Sequence, residues 1–214
     1  RDTAARYDDV YCTVGVHPHE AEHEADVTLD ALLSRASDAK TVGIGETGLD
    51  YYYDNAPRAA QQASFRTHIA AARASGLPLV VHTRNADADT AAILAQEMGQ
   101  GAFRGVIHCF TASQAFAEQA LALGFYISLS GIVTFKNAKA LHAVAKAIPQ
   151  DRLLVETDAP FLAPVPLRGK VCEPAYVAHT ARFVAALRGV EEKALAAQTT
   201  DNFFRLFTKA RRPS

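Results

Sequence analysis

Four residues with metal-binding side chains each follow a short apolar run of the sequence. Glu46 closes the run at 41–46, and His82, His108 and Asp158 follow three further runs. Taken singly, each has an ordinary structural explanation, such as an ion pair, a satisfied buried histidine or a turn cap. Taken together, two imidazoles and two carboxylates at one edge of a sheet form a site for a divalent cation such as Zn, Mn or Mg. We therefore favour a metal-dependent hydrolase site over four unrelated structural residues.

The stretch around Glu46 reads VGIGETGLD over residues 42–50. It is too short and too rich in glycine for a helix, and it predicts a buried strand that delivers Glu46 to a loop. A carboxylate at a buried strand end needs a cation or hydrogen-bond donors to offset its desolvation. A carboxylate between two cations can bridge them, and such a metal pair can activate a water in a phosphoester displacement.

Several further residues are weaker candidates for the site. Asp50 and His17 could support the ligands, although a residue beside a proline, such as His17, is equally typical of a turn. Arg84 and Lys136 could contact a substrate phosphate, and solvated surface charge explains each equally well. The tyrosines at 51–53 could stack on a base, but a packed loop is the preferred interpretation. The histidines predicted to be surface or packing residues are His23, His68, His142 and His179.

Six apolar runs alternate with segments of helical periodicity along the chain, which predicts a parallel sheet with helices outside it. A doubly wound sheet and a (β/α)8 TIM barrel both satisfy this pattern. Polar residues at the carboxyl end of nearly every strand favour the barrel, because a doubly wound sheet gathers them at one switch point. A barrel has eight strands, so we expect the first strand, first helix and second strand to be missing from this sequence.

Composition limits the class of protein. The 214 residues are 49% hydrophobic, which suits one hydrolase domain over residues 1–214. The net charge of −1 excludes a whole-chain basic field, so a polyanion would need a local site or bound metal. Three widely spaced cysteines indicate reduced thiols and a cytoplasmic location. No apolar run is long enough to span a membrane, and a monomer is expected.

Nine short motifs resemble the TatD family of metal-dependent hydrolases, and they run in the family's order along most of the chain. They are GVHPH at 15–19, GETGLD at 45–50, VHTR at 81–84, HCFT at 108–111, SGIVTFK at 130–136, LVETDAP at 154–160, APVP at 163–166, RGK at 168–170 and TDNF at 200–203. So many ordered motifs form a far more specific signal than any one of them.

The resemblance implies a TIM barrel of the amidohydrolase type that binds two divalent cations (Mg, Mn or Zn) and acts as a deoxyribonuclease. The best-known members degrade DNA from the 3′ end. By position, Glu46 would bridge the cations, and His82 and His108 would ligate one of them. Asp158 would ligate the other and orient or deprotonate the attacking water. His17 would lie close to the metals without ligating them.

The sequence departs from the family pattern in places. The family begins with a strand ending in His-x-His, which supplies two ligands to the metal that Asp158 also holds, and no segment here supplies it. His17 and His19 have that spacing but match a later family strand. Four loop positions also differ from the family pattern, and we expect them to affect substrate choice while leaving the ligands intact. They are Asn85, Ala112, Leu167 and Cys172.

Three functions follow from these observations. The preferred one is a TatD-type deoxyribonuclease that cleaves DNA. A related hydrolase acting on another ester, an amide or a small phosphoester fits the near-neutral charge equally well. An inactive truncated fragment or pseudoenzyme is the third. Assays on single-stranded DNA and on a generic phosphodiester distinguish the first two, and an intact mass near 23.0 kDa would support the third.

Overall fold

The computed structural model describes residues 2–212, which fall into two compact units. The first unit contains the chain up to Val106 and the segment from Phe204, and the second contains Ile107–Phe203. The strands are β1 Cys12–Val14, β2 Thr41–Asp50, β3 Leu79–Arg84, β4 Gly105–Ile107, β5 Tyr126–Leu129 and β6 Leu153–Val155. The helices are α1 Asp2–Arg6, α2 Leu29–Ala36, α3 Arg58–Ser75, α4 Asp87–Gln100, α5 Gln114–Ala122, α6 Lys139–Ala147, α7 Val177–Arg188 and α8 Glu192–Leu206.

Strand pairing in the first unit is parallel. β1 pairs with β2 through Val14 and Ile44, and β2 pairs with β3 through Asp50 and Arg84. Antiparallel neighbours can be joined by a tight turn, but parallel neighbours need a crossover, which is why helices separate these strands. The predicted alternation of strands and helices is therefore confirmed in this unit.

β2 is longer than the sequence predicted, and Glu46 does not stand at its end. The strand continues to Asp50, and its register against β3 shifts between Ile44 and Thr47. Gly45 and Gly48 occupy this irregular part, with φ of 133° and 140°. A side chain at either glycine would collide with a backbone carbonyl of β3. The glycines that suggested a turn thus allow an irregular strand to lie close against its neighbour.

α3 packs a continuous apolar stripe against the core of the first unit. Phe65 and Ile69 are fully buried and Ala72 is almost so, as their helical spacing predicted. The helix ends at Gly76, which adopts the left-handed conformation that favours glycine. His68 and Gln61 also lie on the buried side of this helix, where their polar groups reach the backbone of the candidate site.

The second unit repeats the parallel arrangement. β5 pairs with β6 through Ile127 with Leu153 and through Leu129 with Val155. Ser113 caps α5, because its side-chain oxygen accepts the N–H of Phe116 at 3.2 Å. Among residues 2–212, no helix combines the length and the hydropathy that a membrane span requires.

Candidate metal centre

Glu46 lies against two imidazoles in the first unit. Its Oε1 is 2.9 Å from Nδ1 of His82 and 3.4 Å from Nε2 of His17. One ligand atom from each of these three residues lies within 4.8 Å of the others, a spacing that suits a single metal ion. The side chain of Glu46 remains 33% exposed, so this carboxylate can be reached by a solute as well as by the protein.

Asp50 supports this group from behind. It is fully buried, and its Oδ2 is 3.0 Å from Nε2 of both His19 and His82. Its backbone is held by the Gln61 side chain, which accepts the Asp50 N–H at 2.7 Å and donates to the Asp50 carbonyl at 3.1 Å. Asp50 therefore fixes the orientation of His82 toward Glu46.

The pKa of the Asp50 carboxyl reflects the same contacts. Burial by itself raises this pKa, but the Tyr53 N–H and the imidazoles of His19 and His82 outweigh it and lower the pKa below its usual value. The buried carboxyl is thus ionised at neutral pH. An ionised carboxylate behind a histidine is the arrangement that orients metal-ligating imidazoles.

The hydrogen bonds of His82 leave a lone pair on its Nδ1 when Nε2 donates to Asp50. That lone pair faces Oε1 of Glu46 at 2.9 Å, and two such atoms repel each other unless a proton or a cation accompanies them. A neutral imidazole and a carboxylate are both common ligands of divalent metals. His82 and Glu46 therefore fit a cation.

His17 is oriented differently. Its Nδ1 accepts the backbone N–H of His19 at 3.2 Å, so the proton of the neutral ring lies on Nε2, the atom that faces Glu46. A protonated ring nitrogen cannot ligate a metal, but it can donate to the Glu46 carboxylate. These contacts therefore favour His17 as a donor beside the ligands rather than as a ligand.

His68 fixes the backbone that leads into His17. Its Nε2 accepts the N–H of Val16 at 2.9 Å, and its Nδ1 lies 2.7 Å from the carbonyl oxygen of Ser64. Burial lowers the pKa of His68, although the Ser64 contact opposes the shift, and the ring is neutral at pH 7. The predicted packing role of His68 is confirmed, and the packing positions a residue of the site.

The second unit contains another polar cluster, which is centred on Glu156. Oε1 of Glu156 accepts the backbone N–H of Cys109 and lies 3.3 Å from Nδ1 of His108, while Oε2 accepts the Ser128 hydroxyl at 2.8 Å. Ser130 lies nearby, with its hydroxyl 3.0 Å from the Cys109 thiol. Both oxygens of Glu156 are thus occupied by groups of the protein.

The remaining predicted site residues occupy separate positions. Asp158 is half-buried in the segment after β6, where its carbonyl accepts the N–H of Phe161 at 2.6 Å. Lys136 is exposed in the turn that precedes α6. Arg84 ends β3 and packs over the rings of Tyr52 and Tyr53. Arg84 thus belongs to the same unit as Glu46, and Lys136 and Asp158 belong to the other.

Sequence reasoning missed Glu156 and undervalued His19. Glu156 directly follows β6, as the predicted site residues follow their apolar runs, and it stands two residues before Asp158. His19 had been set aside as a ligand, and the structure places it on Asp50. In both cases the signal was a polar side chain at a strand end with a titratable neighbour.

The α/β fold and the group of His17, Glu46 and His82, which could hold a metal ion, fit a metal-dependent hydrolase, and comparison with known proteins gives that class. A family profile described as TatD related DNase matches residues 1–208. The metal-dependent hydrolase YcfH of Escherichia coli is 49% identical over 207 residues, which cover 97% of this chain and 77% of YcfH. The 3′-5′ ssDNA/RNA exonuclease TatD of Cronobacter sakazakii is 35% identical, with 99% of this chain and 82% of the relative covered.

A solved structure agrees with this assignment. The crystal structure of YjjV, a TatD homologue from Escherichia coli, matches with a TM-score of 0.88 at 28% identity, over 97% of this chain and 80% of YjjV. The chain therefore belongs to the TatD family of metal-dependent hydrolases. Its fold is the α/β fold of the TatD TIM-barrel structures, which confirms the fold class predicted from the sequence.

Proposed function

We propose that this protein is a deoxyribonuclease that hydrolyses phosphodiester bonds of single-stranded DNA from the 3′ end, with two divalent cations (Mg, Mn or Zn). The observation that carries the proposal is the pair formed by Glu46 and His82, which lie 2.9 Å apart in a group that solutes can reach. A divalent cation in such a site supplies Lewis acidity, which activates a water and stabilises the leaving oxygen of a phosphoester.

Each residue near Glu46 has a distinct role in this proposal. Glu46 would bridge the cations, and His82 would hold one of them through Nδ1. Asp50 keeps His82 oriented by accepting a hydrogen bond from its Nε2 at 3.0 Å. His17 donates from Nε2 to the Glu46 carboxylate and so limits the orientations that the carboxylate can adopt.

The proposed ligands of the second unit are His108 and Asp158. His108 is 13% exposed, and Glu156 stands beside its Nδ1 in the way that a carboxylate supports a ligating histidine. Asp158 is proposed to ligate and to orient or deprotonate the attacking water. Lys136, an exposed cation, is proposed to contact a phosphate of the substrate.

DNA as the substrate is supported by one relative, which is named as an exonuclease of single-stranded DNA and RNA. The net charge of −1 means that the affinity for a polyanion must come from local groups such as Arg84, Lys136 and the metals. A cytoplasmic location and a monomeric state are part of the same proposal. The sparse cysteines support the location, because no disulfide joins Cys12, Cys109 and Cys172 within residues 2–212.

Cleavage of labelled DNA by the full-length protein tests the proposal. Single-stranded oligonucleotides labelled at the 5′ end are incubated with Mg, Mn or Zn or with EDTA, alongside a small generic phosphodiester. We expect a ladder that shortens from the 3′ end in metal and no products in EDTA. The exposed residue Glu118 provides a matched control, since Glu118→Gln should cleave normally while Glu46→Gln should not. Failure of the wild-type protein to cleave either substrate would contradict the proposal.

A further inference from the structure

Two tyrosines after β2 are exposed beside the candidate metal centre. The side chains of Tyr52 and Tyr53 are 56% and 53% exposed, and their rings meet edge to face with centroids 4.9 Å apart. Tyr51 differs, because its hydroxyl contacts Asp89 at 2.7 Å and Gln62 at 2.8 Å. The packed loop expected from the sequence therefore describes Tyr51 alone, and the other two rings present large aromatic surfaces to solvent.

Arg84 completes this surface. Its guanidinium carbon lies 4.1 Å from the ring centroid of Tyr52 and 4.7 Å from that of Tyr53. Within residues 2–212 no carboxylate forms an ion pair with Arg84. A guanidinium that stacks on a ring by its face keeps its N–H edge available, and that edge matches a phosphate group.

Asp50 joins this surface to the candidate metal centre. Its Oδ1 accepts the backbone N–H groups of Tyr52 and Tyr53, each at 3.0 Å, while its Oδ2 contacts His19 and His82. The ring of Tyr53 also meets the ring of His19 with centroids 5.3 Å apart. One carboxylate thus holds both the tyrosines and a proposed metal ligand, which places the exposed rings next to the candidate metal centre.

We propose that Tyr52, Tyr53 and Arg84 form a nucleotide-docking platform for single-stranded nucleic acid. An unpaired base stacks on the exposed tyrosine rings, and Arg84 donates to the adjoining phosphate. This inference rests on the proposed nuclease function and adds to it a means of selecting substrates with unpaired bases. Paired bases are already stacked and cannot lie against the rings, so the platform favours single strands over duplexes.

Binding of an oligonucleotide under conditions that prevent cleavage tests the proposed stacking of bases on Tyr52 and Tyr53. The full-length protein in EDTA is titrated into fluorescein-labelled dT10, and anisotropy gives Kd. We expect the double variant Tyr52→Leu/Tyr53→Leu to bind about tenfold or more weakly, as the loss of base stacking predicts. An oligonucleotide whose three 3′-terminal nucleotides lack bases should show a similar loss with wild-type protein. The double variant should bind the intact and the base-free oligonucleotides equally.

The salt dependence of Kd tests the proposed contact between Arg84 and a phosphate. A phosphate contact on a single strand contributes about 0.7 to the slope of log Kd against log salt concentration. We expect Arg84→Gln to reduce the slope by about this amount and the tyrosine variants to leave it unchanged. Arg84→Lys keeps the charge and should restore most of the slope.

A tyrosine at the other end of the unit provides the control. Tyr7 is 60% exposed, and its backbone contacts Lys40, which precedes β2, whereas the platform follows β2. Tyr7→Leu should leave Kd unchanged. If wild-type protein binds and cleaves DNA but the double variant does so equally well, the platform is refuted and the nuclease function stands. If wild-type protein neither binds nor cleaves any oligonucleotide, both proposals fail together.

Discussion

Glu46 and Glu156 are both partly exposed carboxylates beside histidines, yet their surroundings differ. Glu156 receives a backbone N–H from Cys109 and a hydroxyl from Ser128, in addition to its contact with His108. Glu46 faces Nδ1 of His82. This nitrogen carries a lone pair when Nε2 of the same ring donates a hydrogen bond to Asp50. The protein therefore supplies two donors to Glu156, whereas Glu46 has the Nε2 of His17 and a nitrogen of His82 that could bind a metal ion. Two carboxylates beside histidines thus differ in how many of their oxygens the protein itself occupies.

The largest effect should follow from removing the charge of Glu46. Glu46→Gln keeps the shape of the side chain but removes a negative ligand, so we expect hydrolysis of single-stranded DNA to fall by more than about 100-fold. That limit follows because loss of a group that merely supports a ligand already costs about 10- to 100-fold. Metal-dependent rates measured beside circular dichroism spectra would check the result. Near wild-type turnover by a folded variant would show that Glu46 is not a ligand.

A smaller effect is expected from Asp50→Asn. If the amide keeps its one oxygen for the Tyr52 and Tyr53 N–H groups, it places an NH2 donor where the carboxylate accepted from His19 and His82. We expect metal affinity to weaken by about 10- to 100-fold, measured by titration calorimetry with Mn. An affinity equal to that of the wild-type protein would mean that Asp50 supports only the fold.

Glu156→Gln should lower the stability of the fold and leave the contacts of Glu46 largely unchanged. The new amide nitrogen cannot accept from Cys109 or Ser128, so one of these donors loses its partner. We expect the free energy of unfolding to fall by about 1–3 kcal/mol, measured by urea denaturation in EDTA. Unchanged stability would show that the donors around Glu156 are satisfied elsewhere, and the contrast with Glu46 would then be weaker than described.

The smallest effect concerns pH and His68. The pKa of this histidine is about 6.5 in the unfolded chain and lower in the folded protein, so the unfolded state binds the extra proton first as pH falls. Its contribution to stability is complete above about pH 6.5 and declines below it. Between pH 6.5 and 5.5 we expect a loss of at most about 1 kcal/mol, which is absent in His68→Gln. Equal pH profiles for the two proteins, measured by thermal unfolding in EDTA, would refute this account.

The sequence anticipated features that depend on local periodicity. The apolar stripe of α3 at Phe65, Ile69 and Ala72, and its end at Gly76, follow from helical spacing and from the backbone freedom of glycine. The length of β2 could not be predicted from the sequence, because glycines such as Gly45 and Gly48 are typical of turns. Their role in the strand depends on the backbone of β3, which lies so close that a side chain at either position would clash with it. Such a contact joins residues far apart in the chain, and composition alone does not reveal it.

The sequence predicted which residues belong to the candidate site better than it predicted the contacts between them. Glu46 and His82 were singled out by their positions, and the structure brings them together. The link from Asp50 to His82 and to the Tyr52–Tyr53 turn depends on how β2 and β3 are registered, which the sequence does not give. Whether His82, His108 and Asp158 ligate metal, as the family resemblance implies, stays a prediction.

Anomalous scattering from manganese tests the central claim most directly. Crystals of the full-length protein grown or soaked with Mn should show an anomalous peak in contact with the Glu46 carboxylate and Nδ1 of His82, and the peak should vanish in Glu46→Gln. Nε2 of His17 should lie outside the coordination sphere, because its ring proton faces Glu46. Manganese bound elsewhere in the protein with no peak at Glu46 would contradict the account.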